Sequence, residues 1–214
     1  MITTKRYGSD ARCILILAHG AGAPMDSSFM DTLALQLDNH GAACARFEFP
    51  YMQKRRDDGR KRPPDRQAVL LDAFRRVVQD VRAEVGPRPR LFIGGKSMGG
   101  RMATLLAAET GEDINGVLCF GYPFHAPGKP ERWRTEHLPD VSVPVMVVQG
   151  TRDPFGKKTE VDERGEIAGI HRWLWLEGGN HDFQPPARQP ETQSDLITRA
   201  AREACQFMAE VAGT

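Results

Sequence analysis

No apolar run in this 214-residue chain approaches the roughly 20 residues a helix needs to cross a bilayer, and no stretch is repeated or of low complexity. That leaves no membrane span and no repeat architecture to consider. A surplus of charge is lacking too: 29 lysines and arginines face 28 aspartates and glutamates, for a formal net charge of +1. Neither nucleic acid nor an anionic membrane surface is therefore an expected partner. Cysteine is scarce. Cys13, Cys44, Cys119 and Cys205 include no C-x-x-C pair and no zinc spacing, and the first three fall in or beside apolar runs. They read as reduced thiols, which suits a cytoplasmic protein. The opening stretch Met1 to Arg6 lacks the apolar segment of a secretory leader, so the expectation is a soluble, unprocessed chain. The length suits one α/β domain over residues 1–214.

What the chain does contain is a glycine-rich turn between an apolar strand and a helix. Leu91, Phe92 and Ile93 run into Gly94-Gly95-Lys96-Ser97-Met98-Gly99-Gly100, and Met98, Met102, Leu105 and Leu106 mark the apolar face that follows. Gly95 to Gly99 fits G-x-S-x-G, the nucleophile elbow, in which a serine sits at a strained backbone position above a parallel sheet. A phosphate-binding loop ending in the same Gly-Lys-Ser would need glycine at position 90, where the chain has Arg90.

Taken in order, the first strand is Cys13 to Ala18, a continuous apolar run of the kind buried on both faces of a parallel sheet. It ends in His19-Gly20-Ala21-Gly22-Ala23-Pro24. A dinucleotide fingerprint fails there because its third glycine position is Met25. The better match is the loop that gives an α/β-hydrolase one N–H of its oxyanion hole, with Ala21 as first candidate and Gly22 as second. A helix with Phe29, Met30, Leu33, Ala34 and Leu37 on one face follows, then a strand from Ala42 to Phe49. The charged stretch Lys54 to Pro64 is expected to form no element, although its basic surplus lies at the edge where parallel sheets bind ligands. A helix from about Asp65 stops at Gly86-Pro87. Later strands are Gly116 to Phe120, Val145 to Gln149 and Trp173 to Leu176, and a final amphipathic helix is capped by Thr192 or Ser194. The segment between the fourth and fifth strands is too short for a large lid.

Ser97, Asp153 and His181 each follow a different strand, in the chain order of α/β-hydrolase triads. A serine hydroxyl needs a neutral imidazole to take its proton, and a carboxylate fixes the tautomer of that imidazole. Such a constellation calls for neither metal nor organic cofactor. Gly22, Tyr122 and His125 are expected to touch a small acyl substrate. Lys96 is expected in a surface or sheet-edge ion pair, and Trp173 and Trp175 in packing.

The strings HGAGAPMDSSFM, GGKSMGGR, GYPFH, GTRDPFG and GGNHDF resemble a small α/β-hydrolase family of mostly uncharacterised bacterial proteins. That family also includes a testis-expressed protein and a subunit of a nuclear histone-acetyltransferase (NSL) complex. The resemblance implies an α/β-hydrolase fold of about six mostly parallel strands without the extra N-terminal strands of larger hydrolases. It implies serine hydrolase chemistry on Ser97, Asp153 and His181, with the Met98 N–H joining the Ala21 loop as oxyanion hole. Some relatives serve as non-enzymatic parts of complexes. A second reading is therefore an interaction module that keeps the fold and binds a protein partner.

Overall fold

Alternation along the central strands decides the layering. The computed structural model describes residues 2–6, 12–109 and 113–213. Its strands are β1 (Ile2–Arg6), β2 (Cys13–Ala18), β3 (Ala43–Phe47), β4 (Arg90–Lys96), β5 (Gly116–Phe120), β6 (Val145–Gly150) and β7 (Arg172–Leu176). In β2 every residue is buried, but successive side chains serve different cores. Ile14, Ile16 and Ala18 pack with helices α3 (Gln67–Val85) and α4 (Met98–Glu109), whereas Leu15 and Leu17 pack with α1 (Ser28–Asn39) and the last helix (Gln193–Gly213). The period of two thus covers both faces of one sheet with helices, which is why the strands read as unbroken apolar runs.

The sheet order is β1-β3-β2-β4-β5-β6-β7, with β3 through β7 parallel and β1 antiparallel at the edge on β3. The six parallel strands are those expected. From β2 the chain crosses by α1 to β3 on one side, and from β4 it crosses by α4 to β5 on the other. The carboxyl ends of β2 and β4, neighbours in register from Cys13↔Arg90 to Ala18↔Gly95, therefore flank the crevice where such sheets bind ligands.

Two elements depart from the expectation. The seventh strand β1 is short and polar, which gives it little hydrophobic pattern to read and suits an edge. The stretch expected to form no element carries α2 (Pro50–Asp58). Pro50 occupies the first turn, where its missing N–H costs no hydrogen bond, and Tyr51 and Met52 are buried. All of its apolar residues lie in that turn, so the charged remainder conceals the helix from periodicity. Residues 59–66 form no element.

Between β5 and β6 the only regular element is a 3₁₀ turn, Leu138–Asp140. Tyr122, Phe124 and Leu138 fold into the core instead of rising over the sheet edge, which accounts for the missing lid. At the last helix, Thr192 is the cap: its main-chain N–H and hydroxyl donate to Asp195 Oδ2, at 2.8 and 2.7 Å, and the Asp195 N–H donates back to the hydroxyl at 3.2 Å.

Candidate active site

Ser97 has φ 51°, the left-handed region in which a Cβ is strained. Its neighbours explain how the turn closes. A Cβ on Gly95 would lie 2.5 Å from the Ala18 carbonyl oxygen and 2.6 Å from the Gly99 carbonyl carbon; one on Gly99 would lie 2.5 Å from the same oxygen. Both are contacts that only glycine avoids. The turn is fastened by the Ser97 N–H to Phe120 O at 3.0 Å, and α4 leaves it with the Arg101 N–H on Ser97 O at 3.1 Å.

The loop after β7 brings His181 to this serine. Its Nε2 is 2.9 Å from Ser97 Oγ and its Nδ1 is 2.8 Å from Asp153 Oδ2. An ionised carboxylate only accepts, so Nδ1 carries the proton and Nε2 is left to accept the serine hydroxyl. The loop keeps its shape through the Asn180 side chain, whose Oδ1 accepts the N–H groups of Asp182 and Gln184 at 2.9 Å each. Asp153 is fully buried. Its Oδ2 also accepts from Gln149 Nε2 at 2.9 Å, and its Oδ1 from the Phe155 N–H at 2.9 Å. Gln149 is oriented in turn by the Tyr122 N–H, which donates to its Oε1 at 2.7 Å. A buried carboxylate with three donors is a stable hydrogen-bond acceptor.

The loop after β2 faces Ser97 from the other side. His19 is buried, and burial lowers its pKa, so the neutral ring donates from Nδ1 to Gly20 O at 2.7 Å and accepts the Phe49 N–H at Nε2 at 3.1 Å. Tyr51 Oη donates to Ala21 O at 2.9 Å and Arg55 to Gly22 O at 3.2 Å. Because C=O and the following N–H point opposite ways across a peptide, holding the carbonyls of Gly20 and Ala21 turns the N–H groups of Ala21 and Gly22 away from those partners. Met98 packs its side chain on the core, while its N–H opens α4, where a helix leaves its donors without intrahelical acceptors.

Between these loops lies a cavity of about 300 Å³, lined by Gly20, Ala21, Gly22, Ser97, His181 and Asp182 on its polar side and by Phe29, Met30 and Phe155 among its apolar residues. The Phe155 ring lies 4.3 Å from that of His181. Tyr122 and His125 do not reach the cavity. Tyr122 is buried with its hydroxyl on Arg134 O at 2.8 Å; His125 is buried between Ala126 O at 2.9 Å and Glu160 at 3.2 Å, against Trp133. They follow β5, but the short segment folds inward and takes them with it. Lys96 is also displaced from expectation: its ion pair with Asp182 at 3.3 Å exists, but the lysine is only 6 % exposed and lines the cavity. Among the described residues, no group of three or more His, Cys, Asp or Glu could hold a metal ion.

Sequence reasoning did not single out Gln149, Tyr51, Phe29 or Phe155. Gln149 did carry a signal, as the polar residue closing an otherwise apolar buried strand. Tyr51 carried none, since its role depends on a helix that periodicity does not reveal.

Solved structures share this architecture at low sequence identity. A dienelactone hydrolase from Anabaena variabilis ATCC 29413 aligns with TM-score 0.72 at 20% identity, over 94% of this chain and 87% of its own. An alpha/beta serine hydrolase without lid from Xanthomonas campestris gives 0.67 at 21% identity, over 94% and 82%. A monoacylglycerol lipase of Paleococcus ferrophilus gives 0.68 at 13% identity, over 98% and 100%. The family model of the alpha/beta hydrolase domain matches residues 11–209, and the chain belongs to that family.

Proposed function

We propose that this protein is a serine hydrolase acting on an ester or related acyl bond, with Ser97, His181 and Asp153 as its catalytic triad. The observation that carries the reading is the hydrogen-bonded chain Ser97 Oγ, His181, Asp153 at one wall of an open cavity. His181 Nε2 takes the hydroxyl proton as Oγ attacks the acyl carbonyl, and the N–H groups of Ala21 and Met98 stabilise the resulting oxyanion. Collapse expels the alcohol, which receives that proton, and leaves an acyl-enzyme. Water, deprotonated by the same nitrogen, then attacks the acyl carbon and returns Ser97 with release of the acid. Gly22 is the second candidate donor, because its N–H shares the outward orientation.

A fluorophosphonate probe tests this directly: mass spectrometry should find the phosphonyl group on Ser97 alone. No adduct on folded wild type would overturn the reading and favour the interaction module. A narrower kinship with the family that includes the testis-expressed protein rests on the quoted strings and belongs to this proposal, as does a cytoplasmic setting, supported by four free cysteines.

The cavity volume bears on the substrate. About 300 Å³ is at the small end for ligand pockets, which run from roughly 300 to 1,000 Å³, so a short acyl group fits and a long one extends into water. Each buried methylene is worth about 0.8 kcal/mol only while it is covered. With p-nitrophenyl esters, kcat/KM should rise between acetate and butyrate and then level off, because methylenes beyond the cavity gain no burial. A value that keeps rising with length would assign the acyl group to another surface.

Tyr51→Phe tests the loop. Losing the hydroxyl that holds Ala21 O removes about 1 kcal/mol of positioning, so kcat should fall about fivefold with KM nearly unchanged. An unchanged kcat would mean that the loop holds its shape without this contact.

A further inference from the structure

Lys96 is the charged residue of the elbow, and the proposed chemistry does not use its side chain. It closes β4 immediately before Ser97, and its ammonium has three protons to place and no lone pair to offer. One proton goes to the main-chain oxygen of His181 at 2.7 Å, another faces Asp182 Oδ1 at 3.3 Å, and the nitrogen lies 5.3 Å from the centre of the Phe29 ring. A single cation therefore joins the end of β4, the first turn of α1 and the loop that presents the imidazole. A methionine would fill the same space without the cost of removing a charge from water, so packing alone does not account for a lysine here. Asp182, on the same loop and 65 % exposed at its side chain, supplies the counter-charge without being buried itself.

We propose that Lys96 is a positioning residue: its ammonium pins the main chain of His181 to the end of β4, and Asp182 is the counter-charge on which the pin depends. The inference rests on the serine hydrolase reading of the same site. The loop has other ties to the sheet, including the Arg152 N–H on Gly179 O at 2.9 Å, but among the hydrogen bonds of the described residues only that of Lys96 holds the main chain of His181 itself. Placement matters because two hydrogen bonds, at 2.8 and 2.9 Å, must hold at once for the proton to move. A misplacement of about 1 Å can cost on the order of 100-fold in rate.

The pin also has a pH signature. The ionisable groups facing Lys96 are His181 and Asp182 from its loop and Asp153 from beyond β6; α1 offers the Phe29 ring and the turn after β5 offers Gly121. Burial lowers the pKa of the lysine from its ordinary value, while Asp182 and then Asp153 hold it up. As pH rises the ammonium loses its proton, the pin weakens and the rate should fall. Removing Asp182 takes away a group that opposes deprotonation, so the falling limb should move to lower pH. Arginine in place of lysine keeps its charge and should carry no such limb.

The experiment is the rate of Ser97 labelling by a fluorophosphonate, followed between about pH 6 and pH 10 in wild type, Lys96→Met, Lys96→Arg and Asp182→Asn. Lys96→Met should label roughly 10- to 100-fold more slowly at neutral pH, the range for one charge-assisted hydrogen bond. Lys96→Arg should recover most of the rate without the limb, and Asp182→Asn should shift the limb down by about half a pH unit or more. Wild-type labelling matched by Lys96→Met would overturn the proposal, as would a limb that Asp182→Asn leaves in place. Should Lys96→Met fail to fold, the Asp182→Asn and Lys96→Arg profiles decide alone. Failure of wild type to label at Ser97 would instead overturn the hydrolase reading itself.

Discussion

Ser97→Ala should abolish fluorophosphonate labelling and lower kcat on the order of 10⁶-fold, the loss that follows removal of a triad nucleophile. What remains is the contribution of the cavity and the oxyanion donors, which do not need the hydroxyl. The fold should be nearly indifferent. The Ser97 side chain makes one side-chain hydrogen bond, to a partly buried histidine, worth about 1 kcal/mol and hence about 2–4 °C in Tm for a chain of this size. A second substitution separates chemistry from strain. Alanine inherits the φ of 51°, whereas glycine accepts it freely, so Ser97→Gly should be equally inactive yet at least as stable as Ser97→Ala. Melting curves and single-turnover rates on the two variants check both statements. Residual turnover within about 100-fold of wild type in either variant would place the nucleophile elsewhere.

How much of this was legible in the sequence follows from what each residue answers to. Gly95 and Gly99 answer to the backbone: a tight strand-to-helix turn forbids a Cβ at both, so the letters alone disclose Ser97 and its strained conformation. The parallel strands were legible for a similar reason, because burial on both faces leaves an apolar run. The positions of Asp153 and His181 followed from the ends of β6 and β7, which pair in register from Met146↔Arg172 to Gly150↔Leu176. Side-chain partners answer to tertiary structure instead. Lys96 reaches a carbonyl 85 residues away, and no local pattern distinguishes it from a surface lysine. Tyr122 and His125 show the converse error. They follow a strand, as site residues do, but Phe124 packs at 4.7 Å from Tyr122 and at 5.6 Å from Trp173, which draws the whole segment into the core. The acidic and basic letters of Lys54 to Asp58 concealed a helix because its apolar contribution ends at Met52.

The same distinction between local letters and tertiary partners governs the choice of triad acid, since Asp182 is adjacent to His181 in sequence and Asp153 is not. The geometry separates them: Nδ1 of His181 points to Asp153 at 2.8 Å, whereas Asp182 turns back to Lys96 at 3.3 Å. Asp153→Asn should therefore lower kcat on the order of 10⁴-fold, the size found when a triad carboxylate becomes an amide and the imidazole is left in the wrong tautomer. The surroundings make the effect hard to evade. Asp153 Oδ2 accepts from both His181 and Gln149, and Oδ1 accepts from the Phe155 N–H, so an amide group placed at either position sets donor against donor. Gln149 cannot simply rotate to accept, because its Oε1 is already held by the Tyr122 N–H at 2.7 Å. The substitution should then also cost stability, about 1–3 kcal/mol for a buried group left without its partner. Asp182→Asn touches neither reacting atom and at neutral pH should cost less than about tenfold, with its larger consequence on the alkaline side. Parallel measurement of kcat and Tm for the two variants checks the assignment. If Asp182→Asn proved the more damaging at neutral pH, the acid would be reassigned, although Ser97 and His181 would keep their roles.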